Sequence, residues 1–80
     1  MPEISRFFGI VIRMFLTGHV PPHFHAFYGS SKARIRVAPV AVLDSMRLTV
    51  EWATLHEPEL LDNWRLLRIR EAPRMIQPLE

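Results

Sequence analysis

The chain contains no cysteine, only three glycines and no hydrophobic run long enough to cross a membrane. Without cysteine it can form neither a disulfide framework nor a thiolate zinc site, and it has no cysteine nucleophile, which fits a reducing cytoplasm. The apolar run from Phe7 to Ile12 is interrupted by Arg13, and no small-residue cleavage site follows it. We therefore expect a cytoplasmic protein with neither a signal peptide nor a membrane span.

Size and charge set further bounds. A chain of 80 residues predicts a single domain over residues 1–80, and a chain this small buries only about 60% of its unfolded surface, so a partner would help to stabilise it. The net charge is +2, and nine of the ten basic residues are arginine. This balance permits an acidic partner protein and permits nucleic acid without requiring it.

Three segments rich in β-branched and aromatic residues predict strands: Ile10–Phe15, His23–Tyr28 and Ala33–Val37. Turn residues separate them at 18–22 and at 29–31. Short turns between strands favour antiparallel neighbours, so we expect a three-stranded antiparallel meander.

Side chains alternate between the two faces of a strand, which sorts these segments into two faces. The predicted core face consists of Ile10, Ile12, Met14, Phe24, Ala26, Tyr28, Ala33, Ile35 and Val37. The opposite face consists of Val11, Arg13, Phe15, His23, His25, Phe27, Arg34 and Arg36. Because this second face mixes cations, imidazoles and aromatic rings, we expect a partner to bind there.

One long helix is predicted from about Met46 to about Arg70, with Asp44 or Ser45 as its N-cap. At 100° per residue, one stripe of this helix carries apolar residues. That stripe consists of Thr49, Ala53, His56, Leu60, Trp64 and Leu67, with Trp52 beside it. The helix should therefore cover the core face of the sheet.

Pro58 is the anomaly of this helix, since an internal proline removes a hydrogen bond. We expect a kinked but continuous helix, with a break at Glu57-Pro58 as the alternative. Residues Met75 to Leu79 could add a short edge strand. The predicted fold is α+β, with a three-stranded antiparallel sheet and one long amphipathic helix on one face.

The segment from His19 to His25 holds three of the four histidines and two consecutive prolines. Because strand residues two apart share a face, His23 and His25 should lie side by side, with His19 in the preceding turn. The three imidazoles could bind a divalent metal, but the predicted strands contain no Asp or Glu to complete the set. We therefore expect no cofactor, and a metal site at these histidines is the less favoured alternative.

The same face offers two further hypotheses. His23, His25 and Arg13 could supply the acid, base and cation of a metal-independent nuclease, with Arg34 and Arg36 stabilising charge. Alternatively the face binds a partner, and its aromatic rings are hidden in a complex or a homodimer. The predicted partner-binding residues are Arg13, His19, His23, His25, Phe27, Arg34 and Arg36.

His56 is expected to be a core histidine that bonds a backbone carbonyl or the hydroxyl of Tyr28. Trp52 and Trp64 are expected to pack in the core. For His56 this structural role is favoured over that of a fourth metal ligand or a catalytic partner.

The signature His-Val-Pro-Pro-His-Phe-His at residues 19–25, with Glu51-Trp52-Ala53 and residues 59–64, resembles a small bacterial family catalogued as domain of unknown function 4160. The resemblance implies no activity, cofactor or catalytic residue. It does imply a stand-alone protein that is often encoded beside a second small protein, as in toxin-antitoxin pairs. From the residues and this resemblance we expect a binding module rather than an enzyme, with a small nuclease or metal-binding protein as the alternative.

Overall fold

The structure, a computed structural model, describes residues 3–15, 21–37, 40–42 and 47–79. In chain order the elements are β1 (Glu3–Phe7), β2 (Ile10–Arg13), β3 (His23–Tyr28), β4 (Ser31–Val37), β5 (Val40–Val42), α1 (Arg47–Leu55) and α2 (Glu57–Arg68). The strands form one antiparallel meander in the order β1-β2-β3-β4-β5. The predicted α+β class with an antiparallel sheet is confirmed, whereas the predicted count of three strands and one long helix is wrong.

Strand β1 does not show the usual alternation of buried and exposed side chains, because it contains a β-bulge. Ile4 and Ser5 are neighbours, yet both are buried, since the register with β2 shifts at this point. Phe8 and Gly9 then close the hairpin with positive φ angles of 49° and 79°, as a type I′ turn requires. A left-handed phenylalanine is unusual at such a turn, and nothing in the local sequence predicts it.

The other strand boundaries differ by a few residues. Strand β2 ends at Arg13 instead of Phe15, and β4 begins at Ser31 because a two-residue turn pairs this residue directly with Tyr28. Strand β5 is not predicted, since three apolar residues are too few to show an alternation.

The core lies between the sheet and the helices. Eight of the nine predicted core-face residues of the sheet are buried: Ile10, Ile12, Met14, Phe24, Ala26, Ala33, Ile35 and Val37. The prediction is wrong for Tyr28, which is 57% exposed because it ends β3 beside the turn. On the helical side, the core includes Trp52, Leu60 and Trp64, as the apolar stripe of the helix predicts.

The helix breaks at His56, which lies in a turn between α1 and α2. The preferred prediction of a continuous helix is therefore wrong, and the alternative break at Glu57-Pro58 is close to the observed position. Pro58 has no N–H to donate to the carbonyl of Thr54, so it cannot continue α1. It instead occupies the first turn of α2, where no N–H donor is needed.

Helix α2 ends at Arg68, two residues before the predicted end. Arg70 has a positive φ of 62°, and its N–H donates to the carbonyl of Leu67 at 3.1 Å, which closes the last turn. The predicted helix start and its caps lie outside the described residues; they are Met46, Asp44 and Ser45.

The segment 71–79 runs back across the molecule without regular secondary structure. Ile76 is buried in the core, and its N–H donates to the carbonyl of Ile4 at 2.7 Å. The amide of Asn63 forms two hydrogen bonds with the backbone of Arg74, at 2.9 and 2.8 Å. The predicted edge strand is therefore wrong in form, although the segment does lie beside β1.

Candidate functional site

The face of the sheet that points away from the core is called the open face here. Antiparallel pairing aligns its side chains in rows that cross β2, β3 and β4. One row is Arg13-His25-Arg34, the next is Val11-Phe27-Lys32, and a third pairs His23 with Arg36. The structure thus brings together every predicted partner-binding residue except His19, which lies outside the described residues.

Aromatic and imidazole rings form a continuous cluster along β3. The ring centroid of His25 lies 5.3 Å from that of His23, 4.9 Å from that of Phe15 and 6.3 Å from that of Phe27. His23 also lies 5.4 Å from the ring of Trp64, so the helical layer contacts one end of the open face. Because His23 and His25 contact each other, a single ligand could reach both rings.

Backbone geometry sets the tautomer of His23. Its Nδ1 lies 3.0 Å from the carbonyl oxygen of Pro21, which can only accept a hydrogen bond. The imidazole therefore carries a proton on Nδ1, and in the neutral ring Nε2 keeps its lone pair. The proline pair that precedes β3 thus helps to orient a histidine, as its stiffness predicts.

Arg13 is held over an aromatic ring. Its guanidinium carbon lies 5.4 Å from the ring centroid of Phe27, a cation-π contact. Its Nε is buried and has no hydrogen-bond partner within the part of the chain that the structure describes. Glu3 lies across from Arg13 in the register, but its carboxylate binds Arg6, with contacts of 2.8 and 3.2 Å.

The charge of the open face is strongly unbalanced. The face carries the cations Arg6, Arg13, Lys32, Arg34 and Arg36, and Glu3 is its single carboxylate among the described residues. Arg6 holds the pKa of Glu3 below its usual value, first through the hydrogen bond and then through its charge. The charge of Arg13 also lowers the pKa of Glu3, but the remaining four cations form no salt bridge with a carboxylate in the described ranges.

His25 is held neutral by its surroundings. Burial lowers the pKa of His25 below its usual value, and the nearby charges of His23, Lys32 and Arg34 lower it further. Its Nδ1 is buried without a hydrogen-bond partner among the residues described. A neutral ring in a cationic row can donate or accept one proton at a ring nitrogen, so His25 is chemically suited to act as a base or to receive an anion.

We expect the free energy of unfolding to fall as the pH decreases below about 6.5. The unfolded chain binds a proton at His25 near pH 6.5, while the folded chain resists it, so acid favours unfolding in this window. The stability is present above the unfolded pKa and is lost as the pH falls through the folded pKa. Urea unfolding at several pH values measures how the free energy of unfolding depends on pH. This dependence should be weaker in His25→Gln than in the wild type, and an unchanged dependence would contradict the lowered pKa of His25.

The described residues contain no group of three or more His, Asp or Glu side chains that could hold a metal ion. His23 and His25 are two of the three metal candidates, and His19 lies outside the described ranges. The metal hypothesis therefore stays a prediction that rests on two neighbouring imidazoles.

His56 differs from its predicted core role. It is half-buried at the helix break, and its Nδ1 lies 2.6 Å from a carboxylate oxygen of Glu59 instead of bonding a carbonyl or Tyr28. Its ring also packs 5.6 Å from that of Trp52. The break moves His56 off the buried stripe, which the continuous-helix prediction could not foresee.

The sequence interpretation missed Lys32, Arg6 and Glu3 as parts of the open face. Lys32 joins it because β4 begins two residues earlier than predicted, which places this lysine opposite Phe27. Arg6 and Glu3 join it through β1. A signal for Lys32 was present, since a two-residue turn at Gly29-Ser30 extends the alternation of β4 back to it.

Comparison with known proteins identifies the family. A family model described as a domain of unknown function (DUF4160) matches residues 9–65. This span covers more than half of the 80 residues, so the chain belongs to that family. No curated protein and no solved structure matches the chain. Neither α1 nor α2 has the length and apolar character needed to cross a bilayer.

Proposed function

We propose that this chain is a small binding module whose open face binds an acidic partner protein. We further propose that the two proteins form a two-gene system of the toxin-antitoxin type in the cytoplasm. The observation that carries the first proposal is the set of four cations on the open face without a carboxylate partner. The second proposal rests on the family resemblance of the chain and not on its geometry.

The character of the open face supports a protein partner. Arg34 and Arg36 are exposed, while Val11, Phe15 and Phe27 lie half-buried among them. Protein interfaces combine such apolar and aromatic contacts with a charged rim. Cations that lack internal partners also steer an acidic surface toward the face and set its register.

The direct test is association with the product of the neighbouring gene. The two proteins are co-expressed, with the tag on the neighbour, and the complex is analysed by light scattering. We expect a heteromeric complex with the wild type and its loss in the double variant His23→Ala, His25→Ala. A folded wild type that stays alone, or that forms only a homodimer, would contradict the proposal.

A second candidate is cleavage of a phosphodiester, and one observation favours it. His23 and His25 contact each other, the tautomer of His23 is set by Pro21, and the pKa of His25 is lowered. One imidazole could act as base and the other as acid, while Arg13 stabilises the developing charge. This arrangement requires no metal, although the same two rings could take part in a metal site.

The RNA arm of the same experiment separates the two candidates. Purified wild type and the double alanine variant are incubated with a mixed-sequence RNA, and its length is followed by electrophoresis. The binding proposal expects intact RNA with both proteins. Degradation by the wild type alone would favour the nuclease, and elemental analysis of untagged protein would reveal a bound metal.

A further inference from the structure

Two unpaired buried nitrogens lie in one row of the open face. They are Nε of Arg13 and Nδ1 of His25, which occupy directly paired positions on β2 and β3. Buried polar atoms in folded proteins almost always have a hydrogen-bond partner, so each exception needs an explanation. Two exceptions at paired positions suggest one shared partner that is not among the described residues.

The composition of the row specifies the charge of that partner. The Nε–H of Arg13 can only donate, and a neutral His25 can donate from Nδ1. Arg34 faces His25 from the other side on β4 and is exposed. Two guanidinium groups on either side of a neutral imidazole attract an anion and repel a cation.

No group within the described residues fills this role. Glu3, the carboxylate across from Arg13, is bound to Arg6 by two hydrogen bonds. The guanidinium of Arg13 is meanwhile held over the ring of Phe27 at 5.4 Å, which limits its freedom to move. Nε of Arg13 and Nδ1 of His25 are both shielded from solvent, so neighbouring side chains must shift when a ligand reaches them.

We infer that Arg13, His25 and Arg34 form an oxyanion site that takes a carboxylate side chain of the partner protein. The inference rests on the proposed function, since the partner supplies the carboxylate. One carboxylate has two oxygens and can accept hydrogen bonds from Arg13 and His25 together. Arg34 adds a mobile charge at the rim, and no proton transfer or covalent step is involved.

The test uses small probes on the full chain. The NMR signals of the Arg13 Nε–H group and of the His25 ring nitrogens are followed during titration with sodium acetate, hexaglutamate and an oligouridine of equal charge. We expect acetate and hexaglutamate to shift both signals together. Tighter binding of the oligouridine than of hexaglutamate would make the row a phosphate site and would overturn the inference.

Two charge-conserving variants provide the matched control. Arg13→Lys keeps the positive charge but removes the Nε–H donor, and Arg47→Lys makes the same change on α1, outside the open face. We expect hexaglutamate to bind about tenfold more weakly to Arg13→Lys, since a hydrogen bond to a charged group is lost. Arg47→Lys should bind within about twofold of the wild type, and equal losses in both variants would overturn the inference.

The outcomes also separate this inference from the proposed function. If the partner complex forms and both lysine variants weaken it equally, the module binds its partner but the oxyanion site is wrong. If hexaglutamate binds at Arg13 and no neighbouring protein associates, the site stands and the proposed function fails. Far-ultraviolet circular dichroism of each variant verifies that the fold is retained.

Discussion

Trp52→Ala is expected to lower the free energy of unfolding by about 3 to 5 kcal/mol, the range measured for buried large aromatic residues. Trp52 is completely buried, and its ring packs against those of Phe7 and Phe24 at 5.5 and 5.6 Å. Its indole N–H also donates to the carbonyl of Gln77 at 2.8 Å. One side chain thus joins β1, the central sheet, the helical layer and the C-terminal segment.

Two control variants test whether the loss of stability is specific to the buried side chain of Trp52. Trp52→Phe keeps an aromatic ring but loses the N–H donor, so we expect a smaller loss of about 1 to 2 kcal/mol. Leu55→Ala removes a side chain that is 65% exposed, and the expected change is below about 0.5 kcal/mol. Urea unfolding measures all three, and equal losses for Trp52→Ala and Leu55→Ala would contradict the central place of Trp52. Because a domain of this size is stable by only about 4 to 12 kcal/mol, the alanine variant should be close to unfolding.

Arg34→Glu combined with Arg36→Glu is expected to weaken binding of the acidic partner at least about 100-fold. Each substitution removes an attraction and adds a repulsion, and like charges at an interface cost several kcal/mol together. Both residues are exposed and lie on β4, so the fold should tolerate the change. Titration calorimetry with the purified partner measures the dissociation constant directly.

The matched control places the same charge change on the helical layer. Arg47→Glu combined with Arg65→Glu alters two exposed residues of α1 and α2. We expect its affinity to stay within about threefold of the wild type, because exposed charges far from an interface are screened by salt. If both double variants bind equally weakly, only net charge matters and the open face is not the binding surface.

Much of the sheet could be predicted because alternation is a local property. Each residue of β2, β3 and β4 shows its face within two or three neighbours, and this predicted the buried set of the sheet with Tyr28 as the single error. The same alternation placed His23 and His25 on the open face, where they contact each other. The candidate site was therefore predicted in its central part.

Other elements depend on contacts that the residue pattern does not reveal. The bulge at Ile4 and Ser5 hides β1 from any period-two search, since these two neighbours are both buried and the hydroxyl of Ser5 donates to the carbonyl of Ile76 at 3.0 Å. The helix breaks at His56, one residue before the alternative prediction at Glu57-Pro58. Pro58 is better accommodated in the first turn of a new helix than in the interior of a continuous helix. The C-terminal segment 71–79 shows no hydrophobic periodicity. Its position is set by the hydrogen bonds of Arg74 with Asn63 and of Ile76 with Ile4.

The residue pattern alone was enough to specify an α+β domain, three central strands and the face on which the paired imidazoles lie, because these follow from spacing between near neighbours. Only the tertiary structure shows that Arg6 binds the carboxylate of Glu3. It also shows that Nε of Arg13 and Nδ1 of His25 have no hydrogen-bond partner among the described residues. Those facts depend on β1 pairing with β2 and on the register between β2 and β3, which join residues through space and not along the chain.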